Sequence, residues 1–479
     1  MAAEFSAEEI IDFTRGRLAQ GMMPGAAGAI STDTRSLEEG QWYLALSGER
    51  FDGHDFIGDA FARGALGCIV EERGSYPVAS TSFPLIAVTD TLQAYHDLAR
   101  NWRKRINPIV IGVTGSSGKT TTKEMCAYAL SAGLRTHKSQ MNENNEFGVP
   151  KTILSMPDDT QALVLEMAMR GLGQIGLLAS TALPDVGIIV NVGAAHLGIL
   201  ETLDNIIHAK CELLEHLDSN RGVAVIGQPT DDLMRHARKV FSGTFICFEP
   251  DSLTEVDVTP ASTTFIVKAP DERFAAVRGI PRTGQGQAVQ FRVKAHGIPH
   301  LQDAWCAITA ARLSGLDDMT IAKGLERYEP VSGRGNTLLA EGGALLVDES
   351  YNANPDSVRA SVCAFLDERV FPQAKKYVVL GDLAELGGQA ERLHRDLGCW
   401  LKEKRLAGLV TVGRLARHAA EGAQGADFEV VACQEQREAE VYLRRRLDHD
   451  TAVLIKGSHA ANLDRLVSRL IPASVAEGF

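Results

Sequence analysis

The chain has 479 residues, which at roughly 100 to 200 residues per domain predicts roughly two to four domains. Hydrophobic residues make up 45% of it and charged residues 23%, ordinary globular values that argue against long disordered segments. The net charge of -12 excludes the broad basic surface that attracts nucleic acids or anionic membranes. We therefore expect neither a nucleic-acid partner nor insertion into a membrane.

The composition also bears on the compartment. The opening residues, MAAEFSAEEIIDF, are acidic where a secretory signal is basic and then apolar, and no apolar run reaches the about 18 residues of a membrane span. The eight cysteines are scattered without a CxxC pair, which favours reduced thiols over a disulfide framework or a zinc site. A cytoplasmic protein is expected.

Taken in chain order, the predicted elements indicate an α/β fold class with parallel sheets. The first hundred residues mix short apolar runs with turn signals and end in a predicted helix, TLQAYHDLARNWRKR, before Pro108. The apolar runs IVIGVT, ALVLEM, VGIIVNV and GVAVIG then alternate with helical stretches, as is typical of buried parallel strands. Alternating threonine and valine between about 254 and 296 predicts an antiparallel patch, and helices follow to about 327. After the turn-rich linker YEPVSGRGN, a second doubly wound sheet is predicted from ALLVDES to AVLIKGS.

The segment VIGVTGSSGKTTTKEM, residues 110–125, has the arrangement of a P-loop, a strand that leads through glycines into a helix. Backbone N–H groups in such a loop turn toward phosphate oxygens, and the helix N-terminus adds its positive end. The lysine is expected to reach the β and γ phosphates, and the threonine after it offers a hydroxyl to Mg²⁺. The predicted phosphate-binding residues are Gly115, Ser116, Ser117, Gly118, Lys119, Thr120 and Thr121.

Two polar side chains follow neighbouring predicted strands of the same sheet. Glu166 ends the run ALVLEM, and His196 follows VGIIVNVGAAH, so both fall at the carboxyl edge where α/β proteins bind ligands. His196 could ligate a hard or borderline cation there. A solvated acid at a strand end and an isolated surface histidine are the alternatives.

Lys210 lies on the apolar stripe of a predicted helix, TLDNIIHAKCELLEHL. A lysine that points inward must extend its amine to the surface, pair with an acid, or lose its charge as its pKa falls. A neutral amine can react with carbon dioxide to give a carbamate, which turns a donor into an acidic oxygen ligand. The helix pattern alone leaves the extended lysine and the carbamate both open.

These motifs, in this order, resemble the Mur ligase family. The resemblance spans nearly the whole chain through the segments DTRSLEEGQWYLALSGERFDGHDF, GVTGSSGKTTTKEM, NENNEFGVP, VLEMAMRGLGQI, NVGAAHLG, AKCEL, SGR, VDESYNANPDSVRAS, GDLAELG and IKGS. It implies three domains: residues 1–106 for the UDP-sugar peptide, 107–330 for ATP, and 331–479, Rossmann-like, for the incoming amine. It further implies an ATP-dependent amide ligase, a monomer, that adds a D-alanyl-D-alanine dipeptide to a UDP-N-acetylmuramoyl-tripeptide through an acyl phosphate in peptidoglycan synthesis.

The resemblance also assigns roles to residues. Lys119, Glu166, His196 and a carbamylated Lys210 would be catalytic, and two Mg²⁺ ions would be held by Thr120, Glu166, His196 and the carbamate. Further ATP contacts are expected from Asn142, Asn145, Arg334, Asp348 and Glu349. Substrate contacts are expected from Thr34, Arg35, Ser47, Gly48, Asp52, His54, Asn144, Tyr351, Asn352 and Asn354.

Some family motifs are altered. The HNxxN motif is replaced by residues 300–304, HLQDA, which lack both asparagines, and KGSR reads KGSH at 456–459. These changes leave open a divergent family member that joins a different carboxylate and amine. A P-loop phosphotransferase, which needs no amine, and a nucleotide-binding scaffold without turnover are the further alternatives.

Overall fold

The computed structural model describes residues 3–48, 51–73, 76, 82–193, 197–268, 288–295 and 297–472. Three larger sheets and one small antiparallel sheet follow one another along the chain, and the α/β fold class is confirmed. Within these ranges, no helix combines the length and the apolar character needed to cross a membrane.

The N-terminal part of the chain folds around a five-stranded sheet. Its elements are α1 (Ala7–Thr14), β1 (Arg17–Gln20), β2 (Ile30–Ser31), β3 (Trp42–Leu44), α2 (Ile57–Ala62), β4 (Gly67–Glu71), β5 (Leu85–Val88) and α3 (Thr91–Ile106). The strand order is β1-β5-β4-β3-β2, with β1 antiparallel to β5 and the other neighbours parallel. Trp42 is fully buried, and its indole N–H donates to the Phe5 carbonyl, so the core keeps no unpaired indole donor there. Helix α3 is the one predicted from TLQAYHDLARNWRKR. Asp90 caps its N-terminus, and Asn107, in the left-handed conformation, caps its C-terminus.

The central part is built on a six-stranded, fully parallel sheet. Its elements are β6 (Ile109–Thr114), α4 (Lys119–Ser131), β7 (Thr136–Lys138), α5 (Gly148–Leu154), β8 (Ala162–Glu166), α6 (Gln174–Ala182), β9 (Val186–Ile189), α7 (Leu197–Leu200), α8 (Leu203–Glu215), β10 (Val223–Ile226), α9 (Asp231–Val240), β11 (Thr244–Cys247), β12 (Leu253–Val258), β13 (Thr263–Val267), β14 (Gln290–Val293), α10 (Ile298–Leu313) and α11 (Asp318–Glu326). The order β11-β10-β9-β6-β8-β7 places the P-loop strand β6 in the interior of the sheet. The four apolar runs predicted as parallel strands are β6, β8, β9 and β10.

Both faces of this sheet are covered, which explains why its strands are continuously apolar. Along β8, Val164 packs in one apolar cluster and its neighbours Leu163 and Leu165 pack in another. This alternation follows from the period of two along a strand, with helices packed on both sides. The predicted antiparallel patch is the sheet β12-β13-β14, and residues 269–287 of that stretch lie outside the described residues.

The C-terminal part forms the second doubly wound sheet. Its elements are β15 (Asn336–Leu339), β16 (Leu345–Glu349), α12 (Pro355–Phe365), β17 (Lys375–Gly381), α13 (Ala390–Lys402), β18 (Gly408–Val412), α14 (Arg417–Gly422), β19 (Glu429–Cys433), α15 (Gln436–Arg444), β20 (Thr451–Lys456) and α16 (Asp464–Leu470). The order is β15-β16-β20-β17-β18-β19, and only β15 is antiparallel to its neighbour. β15 was not predicted, because its first residue belongs to the segment interpreted as a turn-rich linker.

Candidate active site between the central and C-terminal parts

The P-loop connects β6 to α4 and is held from the neighbouring strand end. Gly118, the residue before α4, has a φ of 77°, a left-handed conformation that glycine adopts without strain. The Ser117 amide donates to Asn191 Oδ1 at 3.0 Å, and the Gly193 amide donates to Ser116 Oγ at 2.9 Å. These bonds fix the loop, whose open amides and helix N-terminus then suit phosphate.

Lys119 begins α4 and is the cation of this loop. Its ammonium donates to the Gly115 carbonyl at 2.9 Å, so the side chain folds over the loop. Burial lowers the pKa of Lys119, whereas the nearby Glu166 carboxylate works to raise it. A phosphate bound in the loop would favour the charged amine.

Glu166 ends β8 and is the carboxylate of the site. Thr120 Oγ1 donates to its Oε2 at 2.7 Å, and Asn144 Nδ2 donates to its Oε1 at 2.9 Å. Glu166 is 2% exposed, so these bonds satisfy a buried carboxylate beside the P-loop. Hydroxyl and carboxylate oxygens are ligands that Mg²⁺ prefers. Thr120 and Glu166 therefore fit a magnesium ion delivered with a nucleotide.

Lys210 on α8 is buried, as its place on the apolar stripe predicts. Its side chain is 2% exposed, and no carboxylate of the described residues acts on its amine. Burial, with a smaller contribution from the Lys119 charge, lowers the pKa of Lys210 well below its ordinary value. A neutral amine is the reactive form for addition to carbon dioxide. His196 lies outside the described residues, and in the described part no three His, Cys, Asp or Glu side chains group as a metal site.

The C-terminal part closes the pocket opposite the P-loop. The Arg334 guanidinium lies over the Tyr351 ring, 4.1 Å from its centroid, and both residues line the pocket. Glu349 Oε2 accepts from the Lys456 ammonium at 2.7 Å. Although burial works to raise it, Lys456 and His300 hold the pKa of Glu349 at about 2. The predicted residues that line this pocket are Ser116, Ser117, Gly118, Lys119, Thr120, Thr121, Asn144, Glu166, Arg334, Glu349, Tyr351, Asn352 and Asn354.

Four predicted ATP contacts do not line the pocket, and Gly115 at the start of the P-loop is one of them. Asp348 is 1% exposed and accepts from the amides of Gly333 and Ser350, so its carboxylate holds the turn that carries Arg334. Asn145 Oδ1 accepts from the Gly148 amide at the start of α5, and Asn142 is exposed on the same loop. Asn354 lines the pocket and also caps α12, accepting from the Ser357 amide at 2.8 Å.

The pocket also contains residues that were not predicted as contacts. His300 and Asp303 lie on α10, and Lys456 ends β20. Asn191 lies just after β9, in the same way that Glu166 ends β8. Its position after a strand could therefore have identified it as a candidate site residue. For His300 and Asp303 the only indication in the sequence was the altered HNxxN motif, which did not identify them as contacts.

The predicted sugar-peptide residues gather on the N-terminal sheet, apart from this pocket. Asp52 Oδ1 accepts from Ser47 Oγ at 3.1 Å and from His54 Nδ1 at 2.6 Å. His54 Nε2 accepts from the Glu71 amide, so both ring nitrogens of this 2% exposed side chain have internal partners. Arg73 Nη1 donates to Asp52 Oδ2 at 2.7 Å. Arg73, which was not predicted, therefore belongs to the same cluster.

The other predicted residues of this region differ in their exposure. The Arg35 side chain is 88% exposed and pairs with Asp33 at 2.7 Å. Thr34 beside it is buried, and the Gly48 amide donates to the Phe51 carbonyl at 2.9 Å. Of these residues, Arg35 presents the most accessible donor for a diphosphate.

A direct contact joins the central and C-terminal parts near the pocket. The Gly198 amide on α7 donates to the Glu385 carbonyl at 3.1 Å. A Cβ at Gly198 would come within 2.7 Å of the Gly387 amide nitrogen, so this approach needs glycine. The pocket is thus enclosed by two parts of the chain that touch through their backbones.

Comparison with known proteins agrees with this architecture. Family models match three stretches: the Mur ligase family catalytic domain at 28–103, the Mur ligase middle domain at 113–284, and the Mur ligase glutamate ligase domain at 333–459. The UDP-N-acetylmuramoyl-tripeptide--D-alanyl-D-alanine ligases of Synechocystis sp. and Bacillus subtilis are 34% and 32% identical to this chain. Each alignment covers 93% of this chain, with 93% of the Synechocystis protein and 94% of the Bacillus protein.

Solved structures are similar over the same length. MurF from Acinetobacter baumannii superposes with a TM-score of 0.85 at 31% identity, covering 98% of this chain and 99% of that one. MurF ligase from Thermotoga maritima, solved in complex with ADP, has a TM-score of 0.79 at 28% identity, covering 92% and 97%. This chain therefore belongs to the Mur ligase family.

Proposed function

We propose that this chain is the ATP-dependent ligase that joins D-alanyl-D-alanine to UDP-N-acetylmuramoyl-tripeptide in peptidoglycan precursor synthesis. The observation that carries the proposal is the pocket in which Lys119, Thr120 and Glu166 face Arg334 from the C-terminal part. Relatives that align over 93% of the chain bear that activity in their names. A carboxylate and an amine do not condense in water, so the reaction needs ATP to supply a leaving group.

The residues of the pocket suit transfer of the γ-phosphoryl group to a carboxylate. Lys119 and the N-terminus of α4 stabilise charge that spreads over the phosphoryl oxygens. Thr120 and Glu166 would hold magnesium, which supplies positive charge at the phosphates. The amine nitrogen then attacks the carbonyl carbon of the acyl phosphate. The C–N bond forms, the C–O bond to the phosphate breaks, inorganic phosphate leaves and the nitrogen gives up a proton.

We assign Lys210 a modified role in the same site. Its buried amine adds to carbon dioxide through Nζ and loses a proton, which leaves a carbamate whose two oxygens share a negative charge. That group, with His196, would complete the ligands of a second Mg²⁺ ion. The low pKa of Lys210 and the lack of an acidic partner among the described residues support this role.

The remaining assignments follow from the same reaction. Residues 1–106 would bind the UDP-sugar peptide, 107–330 ATP, and 331–479 the incoming dipeptide. We propose that the enzyme acts in the cytoplasm and as a monomer. Because water destroys an acyl phosphate, the backbone contact between Gly198 and Glu385 would help to keep the site closed during the reaction.

The test is product analysis with the purified chain, UDP-N-acetylmuramoyl-tripeptide, ATP, Mg²⁺ and a panel of amines. We expect mass spectrometry to find the D-alanyl-D-alanine adduct, and phosphate release only when carboxylate and amine are both present. Lys119→Ala should abolish release, whereas Lys151→Ala, which removes an exposed lysine paired with Glu143, should not. Steady release without the amine would favour a phosphotransferase, and an adduct with another amine only would identify a divergent ligase.

A further inference from the structure

A buried carboxyl group lies against the phosphate-binding turn. Asp303 on α10 is 3% exposed, and its Oδ1 accepts from Thr122 Oγ1 at 2.9 Å. A Cβ added at Gly118 would lie 2.5 Å from the same oxygen, so the carboxyl packs directly on the residue that precedes α4. Asp303 also lines the pocket proposed for ATP.

The surroundings of Asp303 do not favour a negative charge. From α10 itself it faces His300, whose Nδ1 is 3.8 Å from Oδ2, and the Cys306 thiol. α4 contributes the Cys126 thiol and the Thr122 hydroxyl, and the segment after α11 contributes the Tyr328 hydroxyl. The Arg334 guanidinium is the cation that acts on Asp303, and no ion pair with a described lysine or arginine forms. Burial outweighs these interactions and raises the pKa of Asp303 to about 8.

His300, one turn earlier on the same helix, adds an independent observation. Its Nδ1 is buried and has no hydrogen-bond partner within the described part of the chain. Burial lowers the pKa of His300, which disfavours a charged imidazole beside Asp303. The wall of the pocket beside Gly118 therefore holds a carboxyl that forms no ion pair with a described lysine or arginine, and an imidazole nitrogen without a hydrogen bond to the described residues. This wall faces the proposed place of the ATP phosphates.

We propose that Asp303 is a neutral carboxylic acid when ATP is bound, and that it positions the nucleotide as a hydrogen-bond donor rather than as an anion. The inference rests on the proposed ATP site. A protonated carboxyl has one O–H donor, whereas the ionised form only accepts and would repel the phosphates across a poorly solvated pocket. Above the pKa of the free enzyme, each ATP molecule that binds therefore takes one proton from solvent onto Asp303.

The direction of the pH effect follows from linkage. ATP favours the protonated form, so its affinity is constant below about pH 8 and falls by about tenfold for each pH unit above it. Lys119 could produce a similar decline, because burial lowers its pKa and its neutral form binds phosphate less well. The two causes separate in a variant that keeps Lys119 and cannot titrate at residue 303.

The experiment is calorimetric titration of the full chain with Mg-ATP from about pH 6.5 to about pH 9.5, in buffers of different ionisation enthalpy. For the unsubstituted chain we expect the alkaline loss of affinity together with uptake of about one proton per ATP. In Asp303→Asn, whose amide keeps the donor, the slope and the proton uptake should disappear. Asp317→Asn, which makes the same change at the cap of α11, should keep both.

A second variant covers the case in which Asp303→Asn does not fold. The Thr122 hydroxyl bond lowers the pKa of Asp303, so Thr122→Val should move the decline in affinity to higher pH. An unchanged slope in Asp303→Asn, or an unmoved decline in Thr122→Val, would overturn the inference while the ATP site stands. Failure of the unsubstituted chain to bind ATP at any pH would overturn the proposed function and the inference together.

Discussion

Replacing Lys456 by methionine tests how the pocket in the C-terminal part is stabilised. The substitution keeps the buried stem of the side chain and removes the ammonium that lies 2.7 Å from Glu349 Oε2. Glu349 is 15% exposed at its side chain, so its carboxylate would be left without its main cation in a poorly solvated site. We expect a clear loss of stability in the sheet that carries both residues.

The size of the loss follows from the pKa of Glu349. Burial works to raise it, but Lys456, with His300 and Ser361, holds it at about 2 against an ordinary value of 4.5. At about 1.4 kcal/mol for each pKa unit, these contacts together stabilise the folded state by about 3 kcal/mol at pH 7, and Lys456 is the largest favourable one. Because the folded-state pKa is the lower one, this stabilisation is present above about pH 4.5 and is lost as the pH falls through about 2.

Hydrogen exchange of the full chain without nucleotide measures the loss of stability caused by Lys456→Met locally, in the peptides that contain β16 and β20. The matched control is Lys376→Met in the adjacent strand β17, since Lys376 is equally buried but pairs with Glu368, which is 72% exposed. Glu368 stays hydrated when its partner is lost, so the control should lose less than about 1 kcal/mol. Equal losses in the two variants would refute the electrostatic reasoning.

Four further predictions concern the other parts of the site. Gly118→Ala should weaken ATP binding by at least about tenfold more than Gly173→Ala does. Both glycines have left-handed φ values, but only a Cβ at residue 118 would crowd other atoms, of which Asp303 Oδ1 is the nearest. Equal ATP affinities of the two variants in calorimetry would contradict this prediction. His54→Ala should lower the free energy of unfolding by about 2 kcal/mol, because the Glu71 amide loses its acceptor. Arg35→Ala should leave the free energy of unfolding within about 0.5 kcal/mol and raise the KM for the UDP-sugar peptide. A lower thermal unfolding temperature with an unchanged KM would be inconsistent with the structure. Lys210→Ala should remove a carbamate signal seen by NMR with ¹³C-labelled bicarbonate, and a signal that persists would place the modification elsewhere.

The sequence predicted those features of the fold and site that depend on local pattern. The apolar runs identified the central parallel strands, and Glu166 could be located because it ends one of them. The stripe on α8 predicted the burial of Lys210. The edge strand β15 escaped prediction because its first residue belongs to the turn-rich linker and because the strand is short and pairs with β16 only in the folded sheet.

Other features depend on which face of an element a residue occupies. Asp348 and Glu349 are adjacent on β16, so their side chains point in opposite directions, and only Glu349 reaches the pocket. Asp303 reaches the pocket from a helix and Lys456 from a strand, and these two elements are far apart in the chain. No local pattern could have predicted that they meet beside the P-loop.

The central claim, activation of a carboxylate by phosphoryl transfer in this pocket, is tested most directly with an isotope. The UDP-N-acetylmuramoyl-tripeptide would carry ¹⁸O in its reacting carboxylate, and the released phosphate would be analysed by ³¹P NMR after ligation. An acyl phosphate transfers one carboxylate oxygen to that phosphate, so we predict one ¹⁸O atom in each phosphate molecule released. Unlabelled phosphate, or label found in AMP instead, would contradict the account.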